Sequence, residues 1–230
     1  MMKKYSKVKD SCIPWIGNIP EKWDVQRLKF STNFELSTVD RHEFDEEIPV
    51  SICHYPQVYN NEKINSNTVL EKGTCTKKEL EKFQLKKDDV IITKDSETPD
   101  EIGVPVYIEE NMKDAVCGYH LAQLVTDKKQ LLGEYLFRFL QSSYANVYFK
   151  TQANGVTRYG LGKDSIWNLK ILIPPLEEQH QIINFLKNKL NRINSLISNN
   201  KLKHEVLFQY QQSLITSAVT GKIDVRGAVA

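Results

Sequence analysis

Two polar segments carry side chains suited to reading the edges of base pairs. Thr151-Gln152-Ala153-Asn154-Gly155-Val156-Thr157-Arg158-Tyr159-Gly160 gathers amide and hydroxyl groups around one arginine. Arginine pairs bidentately with guanine, and asparagine or glutamine with adenine, so Gln152, Asn154, Thr157, Arg158 and Tyr159 offer a full set of readers. Lys94-Asp95-Ser96-Glu97-Thr98-Pro99 directly follows an apolar run, where Lys94, Asp95 and Ser96 are expected to be free to hydrogen-bond. Tyr119 and His120 add stacking or polar contacts, and Lys163 a cation suited to a phosphate. Each segment taken singly also reads as a plain surface connection. Together, on a chain without catalytic signatures, they favour recognition.

Those signatures are missing from the sequence. No Glu-x-Lys triplet occurs, so the carboxylate–lysine pair that commonly holds a nuclease metal lacks its glutamate form. No Asn-Pro-Pro-aromatic or Asp-Pro-Pro-aromatic run exists to hold a base amine for methylation; the one double proline is Ile173-Pro174-Pro175-Leu176. Gly160-Leu161-Gly162 begins like a phosphate-binding turn, but Ser165 takes the third glycine position and there is no Gly-Lys-Ser/Thr loop. His42, His54, His120, His180 and His204 have no i, i+4 partner for zinc. Neither a bound metal nor a catalytic centre is expected. A dispersed site leaves no local signature, which keeps a stand-alone nuclease open as an alternative.

The elements that must hold these residues fall into two unequal parts. With 230 residues, 40% of them hydrophobic, the chain can bury one core and carry an appendage. Residues 1–175 read as a mixed α/β (α+β) domain. Strands are predicted over Ile48–Tyr55, Asp89–Thr93, Val104–Ile108, Ala115–Val125 and Leu169–Ile173, from β-branched runs bounded by Gly, Pro, Asn or Asp. Leu132, Tyr135, Leu136, Phe139 and Leu140 fall on one helical face. Trp15 and Trp23, in a proline-rich opening, are expected to pin the N-terminal segment onto the core. A net charge of +2 excludes a uniformly basic coat, although residues 145–203 carry nine Lys/Arg against three Asp/Glu. The start lacks an apolar stretch and no run is long enough to span a membrane. Cys12, Cys53, Cys75 and Cys117 stand far apart, as suits a reducing cytoplasm, where this chain is expected to act.

Beyond the stiff Pro174-Pro175 joint, no proline or glycine interrupts Leu176 to Val219. A long coiled-coil helix is therefore predicted over 176–220, stopped at Gly221, with a tail over 221–230. Heptad a positions hold Ile183, Leu190, Ile197, His204 and Gln211; d positions hold Leu186, Ile193, Asn200, Leu207 and Leu214. A lone helix about 65 Å long cannot cover its own apolar stripe. It needs a partner helix, and no second one of that length is predicted.

Four segments resemble type I restriction-modification specificity subunits: Trp15-Ile16-Gly17-Asn18-Ile19-Pro20-Glu21-Lys22-Trp23, Gly118-Tyr119-His120-Leu121-Ala122, Thr157 to Gly162 with Ile173-Pro174-Pro175-Leu176-Glu177-Glu178-Gln179, and Ser213 to Asp224. Pro-Pro-Leu-Glu-Glu-Gln opening a long helix is the most specific. What the resemblance implies is a target-recognition domain over 1–175 that reads one half of a bipartite site in double-stranded DNA. The following helix would pair antiparallel with another, setting the spacing between halves. Partners would be a modification (methyltransferase) subunit bringing S-adenosylmethionine and a restriction subunit bringing ATP and Mg, with no cofactor on this chain. Such subunits usually carry two domains and two helices; one of each here fits either a natural half-subunit or a truncated product, and a half-subunit is expected to act as a homodimer. A noncatalytic scaffold or decoy without specific DNA binding is the other alternative.

Overall fold

Runs of β-branched residues become strands here, and the most apolar of them lie at the centre. The computed structural model describes residues 4–226. It divides into two compact units, Met1–Ile183 and Asn184–Ala230. The first is built on a five-stranded sheet in the order Thr32–Leu36, Leu121–Thr126, Val90–Thr93, Pro105–Ile108 and Lys63–Ile64, antiparallel except for the last pair. Alternate residues face opposite sides. Val90, Ile92, Ala122 and Leu124 meet Leu136, Phe137, Leu140 and Phe149 in one apolar cluster. Ile91, Val106, Ile108 and Leu121 meet Ile52, Cys53, Cys75 and Val116 in a second. A sheet covered on both faces needs apolar residues at every position, which is why Val90-Ile91-Ile92 reads as an unbroken run.

The second face is covered by a three-stranded sheet, Ala115–Cys117, Ile48–Cys53 and Glu71–Cys75. Two expectations are corrected there. The single strand predicted over Ala115–Val125 is two strands in different sheets, separated by Gly118-Tyr119-His120. The strand predicted to reach Tyr55 stops at Cys53, because Pro56 takes the first turn of a helix, Tyr55–Asn60. A third correction concerns Trp15. It is 78% exposed in a turn closed by the Gly17 amide on the Ile13 carbonyl, and Ile13 takes the buried place.

The proline joint leads into a helix over Leu176–Val219. Its first turn is fastened to the domain through Gln179, which is fully buried. The amide of Gln179 donates to the carbonyls of Gln130 and Pro174, each at 2.8 Å, and its oxygen accepts from the Leu132 N–H at 2.9 Å. Beside it, Glu178 accepts from the Trp23 indole at 2.9 Å and from the Tyr5 hydroxyl at 2.5 Å. Ile183 is 8% exposed within the domain core. It is thereby corrected from a residue offered to a partner helix to one already spent inside the chain.

In the second unit the helix ends on Gly221 in the left-handed region at φ 71°. The Lys222 N–H reaches the Ser217 carbonyl at 2.8 Å and the Gly221 N–H the Ala218 carbonyl at 3.2 Å, so a Schellman turn satisfies the last carbonyls. Residues 227–230 of the tail lie outside the described residues. Among the described residues, no helix is long and apolar enough to cross a membrane.

Candidate nucleic-acid interface

Three polar segments from distant parts of the sequence meet at the end of the central sheet. Asp95–Ser96 pairs antiparallel with Tyr159–Gly160, setting Tyr159 opposite Ser96 and Gly160 opposite Asp95. The Leu161 N–H donates to the Lys94 carbonyl at 2.7 Å, and the Lys94 N–H to the His120 carbonyl at 3.0 Å. Asn154 exchanges backbone hydrogen bonds with Gly160 at 3.0 and 2.9 Å, closing the 154–160 loop. Lys94, Asp95, Tyr119, His120, Asn154, Arg158 and Tyr159 are thus brought together by backbone pairing.

The Asp95 carboxylate is the centre of the cluster. Oδ1 accepts from Arg158 Nη2 at 2.8 Å and Nε at 3.2 Å, and from the Tyr55 hydroxyl; Oδ2 lies 2.9 Å from His120 Nδ1. Burial works to raise the pKa of Asp95, but the hydrogen bonds of Tyr55 and His120 and the Arg158 guanidinium hold it below the ordinary 3.8. Asp95 is therefore an acceptor at neutral pH, and His120 Nδ1 carries the shared proton. Burial, with the same carboxylate beside it, pushes the Tyr55 phenol well up, so it remains a donor.

Above this network lies a ladder of rings. Tyr55 stacks on Tyr59 at 5.8 Å and on His120 at 5.7 Å, Tyr119 meets His120 edge-on at 4.2 Å, and Lys94 Nζ sits 4.6 Å from the Tyr119 ring centre. Tyr119 is 43% exposed. Arg41, His54, Tyr55, Tyr119, His120 and Arg158 line an open cleft there, together with Asp40. Exposed rings, donors and cations at one rim can hydrogen-bond and stack on bases.

Other predicted site residues lie differently. Ser96 is 6% exposed, and its hydroxyl donates to Glu101 at 3.1 Å and accepts from the Thr98 N–H at 3.3 Å. It is corrected from a free reader to a brace of its own loop. Lys163 stands apart, lining another cleft with Lys29, Asn33 and Glu35, its ammonium 4.2 Å from the Trp167 ring centre. Gln152 and Thr157 are exposed. The sequence reading missed Tyr55, Tyr59 and Arg41. A signal for the tyrosines was present: Pro56 breaks the strand, and an i, i+4 spacing puts both rings on one helix face. Among the described residues, no group of three or more His, Cys, Asp or Glu side chains is placed to hold a metal ion.

Residues 37–206, which include every segment of this cluster, match the profile of the type I restriction modification DNA specificity domain. The chain belongs to this family. Its members serve as DNA specificity subunits and generally carry no catalysis themselves. Over 182 residues the chain is 23% identical to a Methanocaldococcus jannaschii protein assigned as the specificity subunit of the MjaX type I restriction enzyme, covering 79% of this chain and 42% of that protein. Solved structures share the specificity-domain fold. One, from a study of complex assembly and conformational transition in a type I system, gives a TM-score of 0.67 at 16% identity, covering 87% of this chain and 46% of the other. The HsdS subunit of Thermoanaerobacter tengcongensis gives 0.55 at 16% identity, covering 77% and 40%. The chain spans less than half the length of each of these relatives.

Proposed function

We propose that this specificity domain reads one half of a bipartite site in double-stranded DNA for a type I restriction-modification complex, contributing no catalytic step. One observation carries the reading: segments 94–96, 119–120 and 157–160 converge, with Arg158 half-exposed at the rim of their shared cleft. Lys94, Tyr119, His120, Asn154, Thr157, Arg158 and Tyr159 act as base-edge or stacking contacts, with Gln152 beside them. Lys163 serves as a phosphate contact. S-adenosylmethionine, ATP and Mg act on the modification and restriction subunits that this chain docks.

The helix beyond Ile183 supplies the assembly surface. Ile193, Ile197, Leu207 and Leu214 are between 47% and 57% exposed along the seam, and Leu196, Phe208 and Ile215 flank it. So broad an apolar strip favours one partner helix in the seam and further contact beside it. A second copy of this chain, antiparallel, is the proposed occupant of the seam, and the modification subunit of the flank. Methylation mapping in cells that carry this chain with its modification subunit tests the reading. A defined bipartite motif that disappears when the chain is deleted is expected, and unchanged methylation after deletion overturns it.

A further inference from the structure

Arg158 presents only part of its guanidinium to solvent, and the part matters. A guanidinium has two two-pronged edges: a side edge made by Nε and Nη2, and an end edge made by Nη1 and Nη2. Asp95 Oδ1, at 3.2 Å from Nε and 2.8 Å from Nη2, takes the side edge. Nη2 also donates to Tyr55 Oη at 3.4 Å, and that hydroxyl donates in turn to Asp95. Nη1 has no partner among the described residues. Nη1 stays open, and the long Nη2–Tyr55 contact is the one a base would replace, so that Nη1 and Nη2 together can meet the two acceptors that guanine shows in the major groove, O6 and N7.

The geometry points to Asp95 as a positioning residue that aims the end edge of Arg158 at a guanine, making this pair the guanine reader of the half-site. This rests on the DNA-recognition reading above. Three features argue that the pair is more than a surface ion bridge. An ion pair whose arginine is 50% exposed contributes little to stability, so its geometry needs another reason. The carboxylate is itself fixed, by Tyr55 and by His120, whose backbone sits at φ 70°. The arginine is fixed from behind, because Tyr159 pairs with Ser96 and Gly160 with Asp95. A planar fork held before binding loses less freedom when it meets the base. Asp95 thus acts on DNA through Arg158, since its own oxygens are turned to protein donors.

Selection of the full chain on a random-sequence duplex library tests this. The unsubstituted protein should enrich a motif with a fixed guanine in the half-site. Arg158→Lys, which keeps the charge but loses the fork, should flatten that one position by about ten- to a hundredfold. Asp95→Asn should flatten the same position, and the double variant no further, because the two act as one unit. A motif unchanged by both single variants, or one weakened evenly at every position, overturns the inference while leaving DNA recognition standing. Should Asp95→Asn fail to fold, Arg158→Lys decides alone, as it leaves the Tyr55–Asp95–His120 contacts in place. Absence of any motif with the unsubstituted protein overturns the recognition reading and this inference together.

Discussion

Arg158 owes its place to a residue three positions earlier. Gly155 sits at φ 143°, and a Cβ there would lie 1.9 Å from the Arg158 carbonyl oxygen. Gly155→Ala must open the 154–160 loop, at a cost of roughly 1–3 kcal/mol. It is expected to reduce base discrimination about tenfold while the domain still unfolds cooperatively, as binding assays beside a thermal melt would show. Lys163 calls for the opposite signature. As a phosphate contact it carries no base information, so Lys163→Ala should weaken binding to all duplexes alike and lower the salt slope by about one, read from a titration series in increasing salt. Sequence made the cluster legible where polar and charged side chains are concentrated, at Lys94, Asp95, His120 and Arg158. It hid the burial of Ser96, because a two-residue strand pairing over a separation of more than sixty positions leaves no local pattern.

Three of the four family-like segments are where elements are fastened to each other. Trp23 from the opening segment reaches Glu178 of Pro-Pro-Leu-Glu-Glu-Gln, and Gln179 beside it satisfies three backbone groups. Gln179→Leu keeps the volume but strands an N–H and two carbonyls, none of which has another hydrogen-bond partner among the described residues. A loss of about 2–4 kcal/mol is expected in urea unfolding; a change below about 0.5 kcal/mol would show that water replaces the amide. His54 offers a pH test. Burial holds its pKa below the ordinary 6.5, so the folded state takes a proton less readily than the unfolded chain. That contribution is fully present above about 6.5 and declines as pH falls toward the depressed folded value. His54→Gln should flatten the decline in urea midpoint between about pH 7 and 5. Strands covered on both faces were legible from composition, as Val90–Thr93 shows. Asp24–Arg27 was not, because it is a strand only through Lys170–Ile173, its partner at the other end of the domain.

At the scale of the whole molecule the open question is what covers the helix. Among the described residues the next longest helix is Ser143–Gln152, ten residues, so none of them forms an intramolecular partner for a forty-four-residue one. Identical chains most often bury a shared surface across a closed two-fold axis. An antiparallel pair matches a positions of one helix with d positions of the other. Centring the axis between Asn200 and His204 sets each of these opposite the other residue of its mate, Ile197 opposite Leu207, and Leu190 opposite Leu214. The polar residues then meet each other at the middle of the seam instead of facing leucines. In the same register Gln211, also at an a position, faces Ile193, so each helix keeps one polar residue against an apolar one, and the Asn200–His204 pair fixes the alignment at some cost in strength. Ile193→Glu with Leu207→Glu should therefore yield a monomer with an intact domain, seen by light scattering beside an unchanged near-ultraviolet circular dichroism spectrum. Replacing Asn200 and His204 with leucine should keep the dimer and raise its melting point, while loosening orientation. A homodimer also constrains the DNA: two identical domains related by a two-fold axis must read an inverted repeat, each half carrying the same guanine. A monomer at tens of micromolar for the unsubstituted chain would refute self-pairing. An asymmetric methylated motif would instead assign the second half-site to a different recognition domain, while leaving the reading of the first half as proposed.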